Sequence, residues 1–371
     1  MAYRFPSDVY RTRLDRARSL TARAGLDALI VSTGPDLRYL SGSRADTFER
    51  LTALVVPADA DPRLVVARLE TASVKDSALG DLGVEILPWV DGEDPYDLAL
   101  KGLPGDARIA VCDTMPALHV VLLAAHTAAT PALATDVLRE LRMIKDDSEI
   151  RALREAGAAI DRVHARMGEW LRPGRTEREV ADDIGDAIVA EGHTEAAFII
   201  VGSGPHGADP HHEFSDRVIE PEDIVVIDIG GPVDPGYNSD STRTYCFRTP
   251  PADITEAYDA LQAAQEAAVA AVRPGATAEN VDAAARDLLR QHGLAEHFIH
   301  RTGHGIGLSV HEEPYIVRGN TITLRPGMAF SIEPGVYFDG RWGARIEDIV
   351  IVTDDGCESV NTRPHDLAVL D

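Results

Sequence analysis

Apolar and polar positions along the first 135 residues alternate between two periods. Val9, Leu14, Ala17, Leu20 and Ala24 recur at helical spacing behind Ser7, a residue type that caps helices, and Gly25 closes the run. Asp27–Ser32 follows as a continuous apolar strand. Leu51–Val56, Leu64–Ala67, Val84–Leu87 and Ile109–Cys112 read as further strands between helical stretches. This order predicts a small α/β domain over residues 1–138. No glycine fingerprint follows its first strand, so no nucleotide site is expected there. Gly42, Glu49 and Arg50 in SGSRADTFERL form one polar group, best read as a surface loop. The charged connection Arg139–Asp147 leads into a long helical pattern with Ile150, Leu153, Ala156, Ile160 and Val163 on one face, and a second domain is expected over 147–371.

That second domain contains a repeat. Helices predicted at 148–171 and 177–191 return at 253–272 and 277–292, and Pro173-Gly174-Arg175-Thr176 returns as Pro274-Gly275-Ala276-Thr277, 101 positions on. Gly192 and Gly293 keep the same offset. After each helix pair comes an apolar strand that ends on an acid. Ile224–Ile227 closes on Asp228, glycine and proline clusters at 230–232 and 234–236 turn the chain, and Asp240 opens the β-rich run Ser241–Phe247. In the second copy, MAFSIEPG brings Glu333 105 positions after Asp228, and RIEDIVIVT brings Glu347 107 after Asp240. Two copies predict a pseudo-twofold α+β domain whose four acids converge on one cleft.

Either acid of one hairpin, taken alone, reads as a turn cap or a solvated side chain. Four together do not: carboxylates gathered in a cleft repel one another and resist desolvation unless a cation sits between them. Histidines accompany them. His211 and His311 fall at nearly equivalent places, in DPHHEF and SVHEEP, whereas His304 in TGHGIGL has Ser203 as its counterpart. Carboxylates and one imidazole, without thiolate, make a hard donor set suited to two Mn²⁺ or Co²⁺ ions, and less well to Zn²⁺ or Fe²⁺. GHGIG lacks the spacing and the strand-to-helix context of a phosphate loop.

Charge narrows the partners. With 61 acids against 36 bases the net charge is −25, which disfavours nucleic acid and anionic membrane. Cys112, Cys246 and Cys357 are odd in number and far apart, as expected of free thiols in a reducing cytosol. The arginine-rich first 25 residues contain no continuous apolar core of a leader peptide, and no later run approaches a membrane span, so a cytoplasmic protein is expected.

At these residues the chain resembles the pita-bread metallopeptidases, the family of methionine aminopeptidase, aminopeptidase P and prolidase, over essentially its full length. The likeness is greatest to Xaa-Pro dipeptidases. It implies an α/β N-terminal domain followed by a pita-bread domain, and Asp228, Asp240, His304, Glu333 and Glu347 as ligands of two divalent ions, manganese first and cobalt or zinc as alternatives. Asp240 and Glu347 take the bridging positions. The same resemblance makes His211 and His311 active-site histidines, Glu333 a proton shuttle, Arg345 a supporting arginine and Arg318 a candidate for the carboxylate of an X-Pro dipeptide. It also implies a homodimer. One departure is the spacing of 12 from Asp228 to Asp240, where 11 is expected, which assigns an extra residue to the turn. Aminopeptidase P action on longer peptides uses the same ligands. A creatinase-like hydrolase or a metal-free peptide-binding module is opposed by the intact five.

Overall fold

In the computed structural model, which describes residues 4–46 and 49–370, the chain divides into two compact units, Met1–Arg142 and Met143–Asp371. The division falls inside the charged connection expected at 139–147. A helix over Thr135–Arg142 carries the first unit past residue 138.

The first unit runs α1 (Ser7–Arg23), β1 (Ala28–Ser32), α2 (Pro35–Ser41), β2 (Ala53–Pro57), β3 (Arg63–Ala67), β4 (Glu85–Trp89), α3 (Pro95–Leu100), β5 (Ile109–Val111), α4 (Ala117–Ala125), β6 (Ala132–Leu133) and α5 (Thr135–Arg142). Its six strands form one mixed sheet in the order β4-β3-β2-β1-β5-β6. Every residue of β1, β2 and β3 is buried, which is why they read as unbroken apolar runs. Ser7 does not cap α1. It is the first helical residue after Pro6, and its hydroxyl donates to Asp81 instead. Gly25 ends the helix at a positive φ, as expected. Arg50 pairs with Asp91 and Glu49 in an exposed setting, the surface loop anticipated; Thr47 and Phe48 of that stretch lie outside the described residues.

The second unit runs α6 (Asp147–Ala165), α7 (Glu177–Ala190), β7 (Phe198–Ser203), β8 (Ile224–Val233), β9 (Tyr237–Cys246), α8 (Ala252–Ala271), α9 (Ala278–Gln291), β10 (Gly303–Gly305), β11 (Glu312–Ile316), β12 (Ala329–Ile332), β13 (Gly335–Phe338), β14 (Trp342–Arg345), β15 (Asp348–Val352), β16 (Cys357–Ser359) and β17 (Ala368–Val369). The two copies each build a sheet, β17-β9-β8-β7 in the first and β11-β10-β12-β15-β16 in the second. Each also packs an apolar core of its own. Ile160, Ile184, Val201 and Ile227 belong to the first, and Leu261, Val281, Phe330 and Val350 to the second. Among the described residues no helix is long and apolar enough to cross a membrane.

A second sequence expectation changes in this unit. The strand that carries Asp228 does not turn at Gly230-Gly231-Pro232 but continues to Val233, and the chain reverses only at 234–236. The glycines serve close strand approach, not a turn. A Cβ at Gly230 would lie 2.4 Å from the Ser239 carbonyl oxygen, and one at Gly231 2.3 Å from that of Glu195. The β8–β9 register is continuous from Ile224↔Cys246 to Val233↔Tyr237, so the longer acid spacing is absorbed in the turn without a bulge.

Candidate metal centre

Strand registers bring the acids together. Asp228 pairs with Thr242 and Asp240 with Gly230, so the two carboxylates occupy diagonal positions on the same face of the hairpin. In the second copy the β12–β15 and β13–β14 ladders share one register, and Glu333 and Glu347 stand opposite each other at the break between them. A bridge from Thr242 to Glu347 joins the hairpins, with the Glu347 amide donating to the Thr242 carbonyl at 3.1 Å and the Thr242 hydroxyl to Glu347 Oε2 at 2.7 Å.

His304 completes the cluster from β10. The glycines beside it permit this. A Cβ at Gly303 would come within 1.8 Å of the Ser331 carbonyl oxygen, so no larger residue lets the strand approach so closely. His304 Nδ1 lies 3.1 Å from the Gly305 carbonyl, which fixes it as the protonated nitrogen and leaves Nε2 with a lone pair. That nitrogen faces Glu333 at 3.2 Å and Asp240 at 3.6 Å. A lone pair aimed at two carboxylates is repulsive unless a cation lies between them. Asp240, His304 and Glu347 each offer one ligand atom within 4.8 Å of the others, and Asp228 Oδ1 and Glu347 Oε1 are buried without any hydrogen-bond partner. The residues fit a divalent metal site.

Electrostatics point the same way. Burial, then the charges of Asp228 and Glu333, raise the Asp240 carboxyl well above its ordinary range. Glu347 is raised by burial and by Asp240, and Glu333 chiefly by burial. Arg345 supplies the fixed positive charge. Burial opposes its protonation, but Tyr337, Asp228, Glu347 and Glu333 outweigh it and raise its pKa. Its guanidinium donates to Asp228 Oδ2 at 2.6 Å, to the Tyr337 hydroxyl at 2.8 Å and to the Thr242 hydroxyl at 3.2 Å.

The four acids, His304 and Arg345 line one cleft of about 840 Å³ together with His211, His311, His300 and Arg301 and with the apolar Phe198, Ile199, Phe214 and Val310. His311 stands edge-on to His304 with ring centroids 4.2 Å apart, and burial followed by the charges of His304 and Arg301 lowers its pKa to about 4. Eight of the nine residues singled out from the sequence therefore meet in one place. Arg318 does not: it is exposed in the turn after β11 and lines no part of the cleft. Arg301 lines it instead. Its guanidinium lies over the Tyr315 ring at 4.7 Å, and among the described residues no acid pairs with it. Sequence reading missed Arg301, His300, Tyr337 and Thr242. The first two directly precede the TGHG stretch, so adjacency to His304 was the available signal; Tyr337 and Thr242 carried none.

Buried acids around a lone-pair imidazole in an open cleft are the donor set that a hydrolytic metal site requires. This chain belongs to metallopeptidase family M24, whose model matches residues 151–354, with a creatinase/prolidase N-terminal domain matched over 13–144. It is a peptidase, and its second unit has the pita-bread fold. It is 63% identical over 368 residues to the probable dipeptidase PepE of Mycobacterium tuberculosis, covering 99% of this chain and 98% of that one. The crystal structure of dipeptidase PepE from Mycobacterium ulcerans superposes with a TM-score of 0.96 at 63% identity, covering 99% of each chain. The Xaa-Pro dipeptidase of Lactobacillus helveticus is 34% identical over 370 residues, covering 96% of this chain and 98% of the relative.

Proposed function

We propose that the protein hydrolyses the X-Pro bond of dipeptides with two divalent metal ions, manganese in the first place, held by Asp228, Asp240, His304, Glu333 and Glu347. The observation that carries this reading is the convergence of those five side chains on one cleft, two of their oxygens buried and unpartnered. Metal bound there supplies Lewis acidity and an acidified attacking water. The remaining work falls to the chain. Arg345 ties Asp228 to Tyr337 and Thr242, so the carboxylate keeps its orientation. His311, neutral near pH 7, donates a hydrogen bond to the scissile carbonyl oxygen, and His211 orients the bound peptide. Glu333 carries a proton to the imide nitrogen of proline, which leaves poorly and has no N–H of its own. The apolar wall of Phe198, Ile199 and Phe214 suits the proline ring.

Preference for dipeptides rests on the other end of the substrate. A free carboxylate beside the proline ring needs a cation, and Arg345 is already committed to Asp228. Arg301 is the uncommitted one, and we assign it that role in place of Arg318. The test is hydrolysis of Ala-Pro against Ala-Pro-Ala by the protein loaded with Mn²⁺, Co²⁺ or Zn²⁺. Ala-Pro should be preferred, and Arg301→Ala should raise KM for Ala-Pro with little change in kcat, leave the tripeptide nearly untouched, and find no parallel in Arg318→Ala. Preference of the unaltered protein for the tripeptide would establish aminopeptidase action instead.

A further inference from the structure

Glu177, the first residue of α7, has a fully buried side chain outside the acid cluster. Its Oε1 accepts from the Ser203 amide at 2.9 Å and the Ser203 hydroxyl at 2.6 Å, and its Oε2 from the Ser215 amide at 2.9 Å and the Ser215 hydroxyl at 2.7 Å. His212 Nε2 lies 2.9 Å from Oε2, and His206 Nδ1 lies 3.1 Å from both oxygens. Glu177, His206 and His212 have ligand atoms close enough to hold a metal ion. The carboxylate's lone pairs, however, already meet the two amides and two hydroxyls, which makes this an anchor of hydrogen bonds and not a cation site. Burial opposes ionisation, yet the donors from Ser203, His212 and Ser215 outweigh it and hold the carboxyl at a pKa of about 2.

What the carboxylate anchors is specific. Ser203 ends β7 and Ser215 closes the loop that follows, and between them Pro210, His211, Glu213 and Phe214 form part of the cleft wall. Apart from a short helical turn over Gly204–Ala208 and the Val201 amide donating to the Glu213 carbonyl, that loop forms no ladder of its own. The equivalent stretch of the second copy is held by pairing of β10 with β11, and there the residue matching Glu177 at the 101-residue offset is Ala278. A buried carboxylate in one copy takes the place of a strand ladder in the other. We propose that Glu177 is a positioning residue that fixes the 203–215 loop, and with it His211, over the cleft; this rests on the reading of His211 as a substrate-binding residue.

Glu177→Gln is the sharp test, because an amide sets donor against donor at one of the two serines. Measured on the full-length protein loaded with Mn²⁺, the variant should keep the metal content of the parent and lose roughly 10–100-fold in kcat/KM for Ala-Pro, mostly through KM. Amide hydrogen exchange at Ser203 and Ser215 should quicken. Val281→Ala, a change in the second copy's core, which includes no residue of the loop, should move neither KM nor those amides. An unchanged KM in Glu177→Gln, or loss of metal from it, would overturn the proposal. Should that variant not fold, Ser215→Ala takes its place with the same sign and a smaller rise in KM, and no rise would equally overturn it. Metal lost from His212→Gln but retained by Ser215→Ala would replace the anchor with a cation site. His211→Ala separates the two levels. An unchanged KM there removes the reading of His211 itself, whereas a raised one beside a normal Glu177→Gln removes only the anchor.

Discussion

The two copies of the repeat share a backbone plan and divide the chemistry between them. At one pair of equivalent positions, Ser203 and His304, the first copy holds a residue that donates to Glu177 and the second a residue that aims a lone pair at Asp240 and Glu333. At another, Glu177 and Ala278, both residues open a helix and both donate their amides to a following strand bridge, to Arg217 and to Ile322. Only the first carries a side chain that accepts hydrogen bonds from both ends of the loop after its strand. The acid pairs differ as well, diagonal across one hairpin and directly opposed in the other. Duplication therefore preserves what the core requires, and the cleft is free to be asymmetric.

The largest expected effect breaks that asymmetry at a single position. His304→Ala should lose metal and more activity than the roughly 10–100-fold that follows loss of a ligand's outer partners, while Ser203→Ala keeps its metal. Asp240→Asn should behave like His304→Ala, because a neutral amide leaves the cations facing reduced negative charge. Elemental analysis beside Ala-Pro hydrolysis distinguishes them. Equal metal loss in the two alanine variants would mean that the copies contribute alike.

Much of this was legible from residues alone. The offset of 101 between the two Pro-Gly turns located the repeat, and acids closing apolar strands pointed to the four carboxylates that meet in the cleft, since a carboxylate at the end of a buried run is rare without a partner. The turn at Gly230-Gly231-Pro232 was misread because glycine signals both a reversal and a close approach, and only the neighbouring backbone at 2.3–2.4 Å decides between them. Arg318, singled out from the sequence, lies outside the lining of the cleft, because an arginine in a loop carries no mark of the direction it faces. Arg301 came into view only once the lining of the cleft and its place over the Tyr315 ring were known.

A smaller effect concerns His164 and its equivalent Gln265, both buried in the first helices of their copies. His164 meets the Tyr245 hydroxyl at 2.9 Å and the Ser241 carbonyl at 3.1 Å, and burial, then the Arg243 charge, lowers its pKa to about 3. Below the ordinary value of about 6.5 the unfolded chain takes up a proton that the folded chain refuses. Stability present above that pH is therefore lost as pH falls toward 3, at up to roughly 1.4 kcal/mol per pH unit. Gln265 cannot titrate. His164→Gln, which installs the second copy's residue in the first, should flatten the fall in unfolding midpoint between pH 6.5 and pH 4.5, as followed by urea denaturation. An unaltered slope would assign the acid sensitivity elsewhere.

The smallest effect compares Thr176 with Thr277, the residues that precede α7 and α9. The Thr176 hydroxyl accepts from the Glu179 amide at 3.2 Å, and the Glu179 carboxylate accepts from the Thr176 amide at 2.8 Å, a reciprocal cap. Thr277 makes no such bond, and its hydroxyl is buried without a partner. The same sequence position is thus a stabilising cap in one copy and a desolvated hydroxyl in the other. Thr176→Ala should lower stability by about 1 kcal/mol, within the range for loss of a helix cap. Thr277→Val keeps the shape, removes an unsatisfied hydroxyl, and should be neutral or slightly stabilising. Paired urea titrations measure both, and equal losses in the two variants would show that the second helix is capped in solution after all.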